Sequence, residues 1–591
     1  MQIKGRLVMD GAGSRTIAFN STGTVWKTSM FGFQLCSAYS ANPALDSSAL
    51  TGTGYALTLT NTDGVHPIAI YSDPFGCDTG NHGPSMNLVD VVVPVGTPCG
   101  SSAASIPCIR AYNMWDGGTS NGQGFQLVNS LFLGGGWQPV SNTPGGGGPN
   151  WGTTATNISG NVWNGFSCDG WGDFISDGSS ANPAAINVTN NILTNPAGNC
   201  TFYGTNGSAP ASGGTITVSG NGLFSTPSYE IALSSGFGLG IALNAPIFVQ
   251  NNVLWDQATA PMGAGHDISI GMTGSTTSSY FETDQRNILE GGSVGGYCTG
   301  GYCVYQNNIG ISSTMTRNAG CQGCQGFETL ESQSGTHNLL AQYNVAVQRW
   351  PNTGIMSFLE IGSGQTLNGV SLIHNTAIVS QPDSGNSFGF YIGEGSGAPL
   401  NAINAVMRDN LAWGATNGTQ NGNSSNTWNA TACAWGGGVC NNWFAGSVNP
   451  YADPSTVGAH YDDGTHKHCT GYAPYGDICT VQPVWQNMPS GSMTGYSGVG
   501  PYRALEDLDK LWGGPGTGQD LANCMALKVN TLAAGAGITT SIINTAYCTP
   551  TTMYTVMSQW YRPLNINQAN AASDATTPGA IQPLVMGSWI Q

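Results

Sequence analysis

Residues 256–290 hold the groups best equipped for chemistry: Asp256, His266, Asp267, Glu282, Asp284, Arg286 and Glu290. Charged residues make up only 8% of this 591-residue chain, so five carboxylates in one short stretch stand out. Two carboxyl groups held ~5–9 Å apart can open a glycosidic bond, one as acid and the other as nucleophile or base. The candidate catalytic residues are therefore His266, Asp267, Glu282, Asp284 and Glu290. Asp284 is the odd member, because its position is mostly apolar wherever the local pattern recurs. Burial raises a carboxylate's pKa, which suits a general acid. The competing expectation is that the register slips here and Asp284 simply faces water.

The pattern that recurs is an asparagine about every thirty residues: Asn129, Asn161, Asn191, Asn221, Asn252, Asn287, Asn308, Asn344, Asn375 and Asn410. Each sits in a short β-branched phrase, such as Ile186-Asn-Val-Thr-Asn-Asn-Ile-Leu193 or Leu372-Ile-His-Asn-Thr-Ala-Ile378. Three residues before it the column reads Ile158, Val188, Val218, Val249, Asp284, Tyr305, Ala341, Leu372 and Met407. Just after it comes a second apolar column, including Val162, Ile192, Val253, Ile288, Ile309, Val345 and Leu411. This is strand alternation broken at a bend. Asparagine suits a bend because it tolerates left-handed backbone angles, and stacked amides can form a ladder. A fixed period of this size means repeats that must stack to bury their apolar faces.

One residue earlier in each repeat is a polar column: Arg286, Asn307, Tyr343, His374 and Asp409. Stacked ~4.8 Å apart, these five would form a ridge able to hold a sugar chain, and they are the candidate ligand-binding residues. Arginine could neutralise a uronate carboxylate, with His or Tyr as base. The bland alternative is that a position beside a turn is polar by default.

The repeat resembles the right-handed parallel β-helix of the pectate-lyase and phage-tailspike type. The resemblance covers about residues 116–414 and implies an all-β chain of about ten coils. Residues 1–115 are expected to form a β-rich cap, an attachment region or irregular first coils. Residues 415–591 are expected to form a cysteine-rich C-terminal cap, with short helices at 503–512 and 518–532. Residues 143–150 read as a loop. The resemblance also allows a homotrimer. Gly265-His-Asp-Ile-Ser-Ile-Gly271 is similar to a polygalacturonase segment, but Asp267 replaces its middle glycine and no Asp-Asp pair precedes His266.

A net charge of −17 with only 14 basic residues argues against nucleic-acid or acidic-membrane partners and leaves a cell-surface glycan or other polysaccharide as the expected ligand. No apolar run is long enough to cross a membrane. Residues 1–10 lack a signal-peptide pattern. A virion-surface protein, or a secreted one whose signal has been removed, is expected.

The 16 cysteines include close neighbours, 99/108, 298/303, 433/440, 469/479 and 524/548, as loop-stapling disulfides would. The rival is a zinc knuckle from Cys298, Cys303, Cys321 and Cys324. No metal or other cofactor is expected, with calcium left open. Three functional readings follow: a tailspike-like receptor-binding protein, a secreted polysaccharide lyase or hydrolase, and a non-enzymatic adhesin or rod. Whether the chain is an enzyme stays open.

Overall fold

The computed structural model describes backbone elements between Gln2 and Tyr451, and side chains in parts of that span. The described segments are chiefly 87–110, 125–141, 155–167, 185–193, 214–222, 246–253, 283–288, 303–310, 339–345 and 371–377. The expected helices at 503–512 and 518–532 and the loop at 143–150 lie outside the described residues.

The protein is all-β: parallel strands stack as a β-solenoid, described most fully over about four turns. By backbone contacts the chain divides into two units, 1–260 with 510–550 and 261–509 with 551–591. In the first unit each full turn carries three main strands, and two successive turns add a short fourth, Gly136–Trp137 paired with Phe166–Ser167. Thr156–Ser159, Val162–Asn164 and Asp173–Asp177 form one turn; Ala185–Thr189, Ile192–Thr194 and Cys200–Thr205 form the next. Each strand pairs in parallel with its counterpart one turn on: Ile158↔Val188, Val162↔Ile192 and Ile175↔Tyr203. Parallel pairing of this kind already operates before residue 116, for example between Val8–Gly11 and Ser48–Gly52. It runs past residue 414 in the second unit, where Asn417–Asn421 pairs with Asn449–Tyr451.

Alternation decides which side chains go inward. Along Ala185–Thr189, Ile186 and Val188 are buried while Ala185, Asn187 and Thr189 are half-exposed. The inward columns Leu127–Ile158–Val188–Val218–Val249 and Leu131–Val162–Ile192 fill the coil. Each buried Val, Ile or Leu contributes roughly 1.5–3 kcal/mol. Aromatic rings fill part of the core. Trp163 is fully buried, stacks on Phe132 and meets Phe174 edge-on, and Phe174 in turn contacts Phe166 and Phe202.

The amide ladder is present, with one change of register. Asn161, Asn191, Asn221 and Asn252 are fully buried and linked in series, each Nδ2 donating to the next Oδ1 at 2.9–3.0 Å. In the second unit Asn287, Asn308, Asn344, Asn375 and Asn410 repeat the arrangement. Asn129, expected as the first rung, is exposed; Ser130 occupies that position, and its N–H donates to Asn161 Oδ1. The ladder asparagines are also not the left-handed residues. The residue before each one is, with positive φ at Asp90, Asn129, Gly160, Asn190, Gly220 and Asn251 in the first unit. Two adjacent columns both favour asparagine, one for left-handed φ and the other for its buried amide. The first rung therefore falls one residue later than expected, at Ser130.

On the outward face of the first unit a second, half-exposed amide column runs alongside. Asn187 Nδ2 donates to Asn157 Oδ1 at 2.8 Å, and Asn157 Nδ2 donates to Gln126 Oε1 at 2.6 Å. Beside it Thr189 Oγ1 donates to Ser159 Oγ at 2.9 Å.

Cys99 and Cys108 form a disulfide, as their spacing suggested. The bridge is held against the stack by Cys99 N–H donating to Gly135 O and Cys108 N–H to Gln138 O. Gly136 has to be glycine, since a Cβ there would run into the Cys99 backbone. Cys303 is also disulfide-bonded, which removes it from a zinc knuckle, and no described cysteine is free.

Candidate functional site

The polar column of the second unit is where the structure brings expected residues together. Arg286, Asn307, Tyr343 and His374 occupy equivalent corners of successive turns. Arg286 N–H donates to Gln306 O, Asn307 N–H to Gln342 O and Tyr343 N–H to Ile373 O. Each carbonyl belongs to the residue just before the next corner, so neighbouring members are one rung apart, ~4.8 Å. Arg286, Asn307 and Tyr343 are half-exposed; His374 is buried and its ring stacks on Tyr343, centroids 5.3 Å apart and planes 12° apart. Asp409 lies outside the described residues.

All four have left-handed φ, between 54° and 58°. For an L-residue other than Gly or Asn this conformation costs roughly 1–2 kcal/mol, and bulky side chains there are outliers. The first unit fills the same corner with Asp, Asn and Gly. Its glycines have a packing reason: a Cβ at Gly160 would meet Asn129 Oδ1, and one at Gly220 would meet Asn190 Oδ1. The second unit instead keeps an arginine, a tyrosine and a histidine on three of its four described corners. Backbone strain retained against available cheaper residues marks a position held for its side chain. Sequence reading found this column but not its left-handed backbone, because only the neighbouring ladder fixes which residue turns the corner.

The carboxylate cluster is placed differently. Asp284 is fully buried, in register with Tyr305 in the inward column, and its carbonyl accepts from Asn308 Nδ2. The register does not slip here, so Asp284 does not face water, and as placed it meets no polymeric substrate. Glu282 shares the same strand, at the register position of Cys303, and Glu290 ends the strand Ile288–Glu290 opposite Ile311. His266 and Asp267 lie outside the described residues. Among the described residues, no group of three or more His, Cys, Asp or Glu could hold a metal ion, and no helix is long and apolar enough to cross a membrane.

Compared with protein-family models, curated proteins and solved structures, the chain matches none. The class defined by the fold is a parallel β-solenoid, and the residues themselves have to carry the functional argument.

Proposed function

We propose that this β-solenoid is an extracellular or virion-surface protein that binds polysaccharide along the half-exposed corners Arg286, Asn307 and Tyr343, in the manner of tailspike or pectate-lyase-like proteins. The carrying observation is the left-handed backbone at Arg286 and Tyr343, where the first unit's corners use Asp, Asn or Gly. The chemistry fits an acidic glycan. The Arg286 guanidinium suits a sugar carboxylate, Asn307 suits hydroxyls, and Tyr343, backed by the buried His374 ring, offers an aromatic surface to a sugar ring. Rungs ~4.8 Å apart suit a polymer better than a single small ligand. The low basic content, 14 residues against 31 acidic, disfavours nucleic acid.

The test is binding of the full chain to a panel of acidic and neutral polysaccharides by calorimetry. Arg286→Ala and Tyr343→Ala should each weaken acidic-glycan binding about tenfold or more, the scale of one lost charge-assisted or aromatic contact. Arg286→Asn should weaken binding in the same way yet raise stability by up to about 1 kcal/mol, because it relieves the strained corner. A wild-type chain that binds no acidic glycan, or variants that bind as tightly, would refute the reading. The same mixtures, assayed for new reducing ends and unsaturated uronates, separate a binder from a hydrolase or lyase.

A further inference from the structure

The outward face of the first unit carries a second ordered polar array. We propose that the face formed by Phe125–Val128, Thr156–Ser159, Ala185–Thr189 and Thr215–Ser219 binds an extended, uncharged polysaccharide lying along the stack, independently of the corner column. In these four strands the outward positions include Gln126, Asn157, Asn187, Thr217, Ser159 and Thr189, all half-exposed, and none of the outward positions is charged.

The amides are fixed before any ligand arrives. Asn157 uses one N–H on Gln126 Oε1 and accepts from Asn187 at its Oδ1, so its rotamer and flip are set from both sides. An amide has two N–H groups and two oxygen lone pairs, so Asn157 retains one donor and one acceptor for a ligand. Thr189 and Ser159 are tied in the same way. Side chains ordered in advance lose little rotamer freedom on binding. The repeat then matches the ligand to the face. Donors and acceptors recur every ~4.8 Å along the stack, about the length of one extended sugar residue, so hydroxyls of a straight chain meet equivalent partners on successive turns. Charge selects the neutral member. A polyanion finds no cation on this face to pair with, whereas an uncharged glycan needs none.

Affinity electrophoresis of the full chain in native gels tests this, since the −17 charge drives migration and a neutral polymer adds no charge of its own. Hydroxyethyl cellulose and galactomannan serve as neutral probes and polygalacturonate as the acidic one. Wild-type protein should be retarded by at least one neutral polymer. Asn157→Ala/Asn187→Ala should weaken that retardation tenfold or more, and Thr217→Asp, which leaves the amides in place, should weaken it as well. Both variants should keep the wild-type melting profile and their retardation by polygalacturonate, which separates this face from the corner column. The proposal is overturned if neither neutral polymer retards the wild-type chain, or if folded variants are retarded as strongly as wild type. It is also overturned if sedimentation shows that the variants merely dissociate a wild-type dimer, which would make the face a contact between copies.

Discussion

Asn191 uses all four valences of its amide inside the core. Its Nδ2 donates to Ile158 O and to Asn221 Oδ1, and its Oδ1 accepts from both the backbone N–H and the Nδ2 of Asn161. Removing it takes a partner from four buried polar groups, of which Asn221 Oδ1 keeps the backbone N–H of residue 191 and Asn161 Nδ2 keeps Leu127 O; a buried group left unsatisfied costs ~1–3 kcal/mol. Asn191→Ala is therefore expected to destabilise the first unit by about 3–5 kcal/mol, read from the denaturant midpoint and from hydrogen exchange along the coil. Asn191→Asp should do similar harm, since a carboxylate accepts but cannot donate. A midpoint shift below about 1 kcal/mol would show that the ladder is dispensable. The buried amide was legible in the sequence because few forces other than stacking place asparagine amid Val and Ile at a thirty-residue interval. Asp284 was legible as an exception to an apolar column, but its depth was not, because a polar residue in such a column can signal either a slipped register or a buried group.

At the scale of the strand and its bend, the corner of the first unit alternates Asn129, Gly160, Asn190, Gly220 and Asn251. The asparagine side chain occupies the space that a Cβ on the following glycine would need. Gly220→Ala should therefore cost more than the ~1–2 kcal/mol of a left-handed alanine. Replacing Asn190 with glycine in the same chain should recover the steric part and leave the conformational part. Equal losses in the single and double variants, measured by thermal melting, would show that the two side chains do not compete for that space. The strand phrases were readable from alternation, and so was the existence of a polar column beside them. The outward amide array around Asn157 and Asn187 was not, because in an Asn-rich chain two more asparagines on a solvent-facing column carry no distinctive signal until register aligns them.

For the molecule as a whole, covalent staples and sparse charge set the conditions under which it holds together. Opening Cys99–Cys108 by Cys108→Ser frees a short loop and should lower stability by ~2–3 kcal/mol on the chain-entropy view. A reductant should lower the wild-type midpoint too, since Cys303 is also bridged. A midpoint indifferent to reductant would show that the bridges add nothing to stability. The solenoid's reach along the chain was less legible than its repeat. Residues before 116 lack the asparagine signature but still pair in parallel, because apolar alternation alone can build a turn: Val91 fills the slot that Ser130 and Asn161 occupy later, its N–H donating to Ser130 Oγ.

The buried amides all point the same way, each handing a proton donor to its successor and receiving one from its predecessor. Such a chain of identical couplings is closed under excision. If a single whole turn were deleted, for instance from Asn161 through Gly160's counterpart Asn190, the severed ends would meet as compatible partners and no internal valence would be orphaned. Lineages carrying this device can therefore lengthen or shorten by tandem duplication in quanta of one turn, whereas a one-residue insertion between corner and rung breaks it.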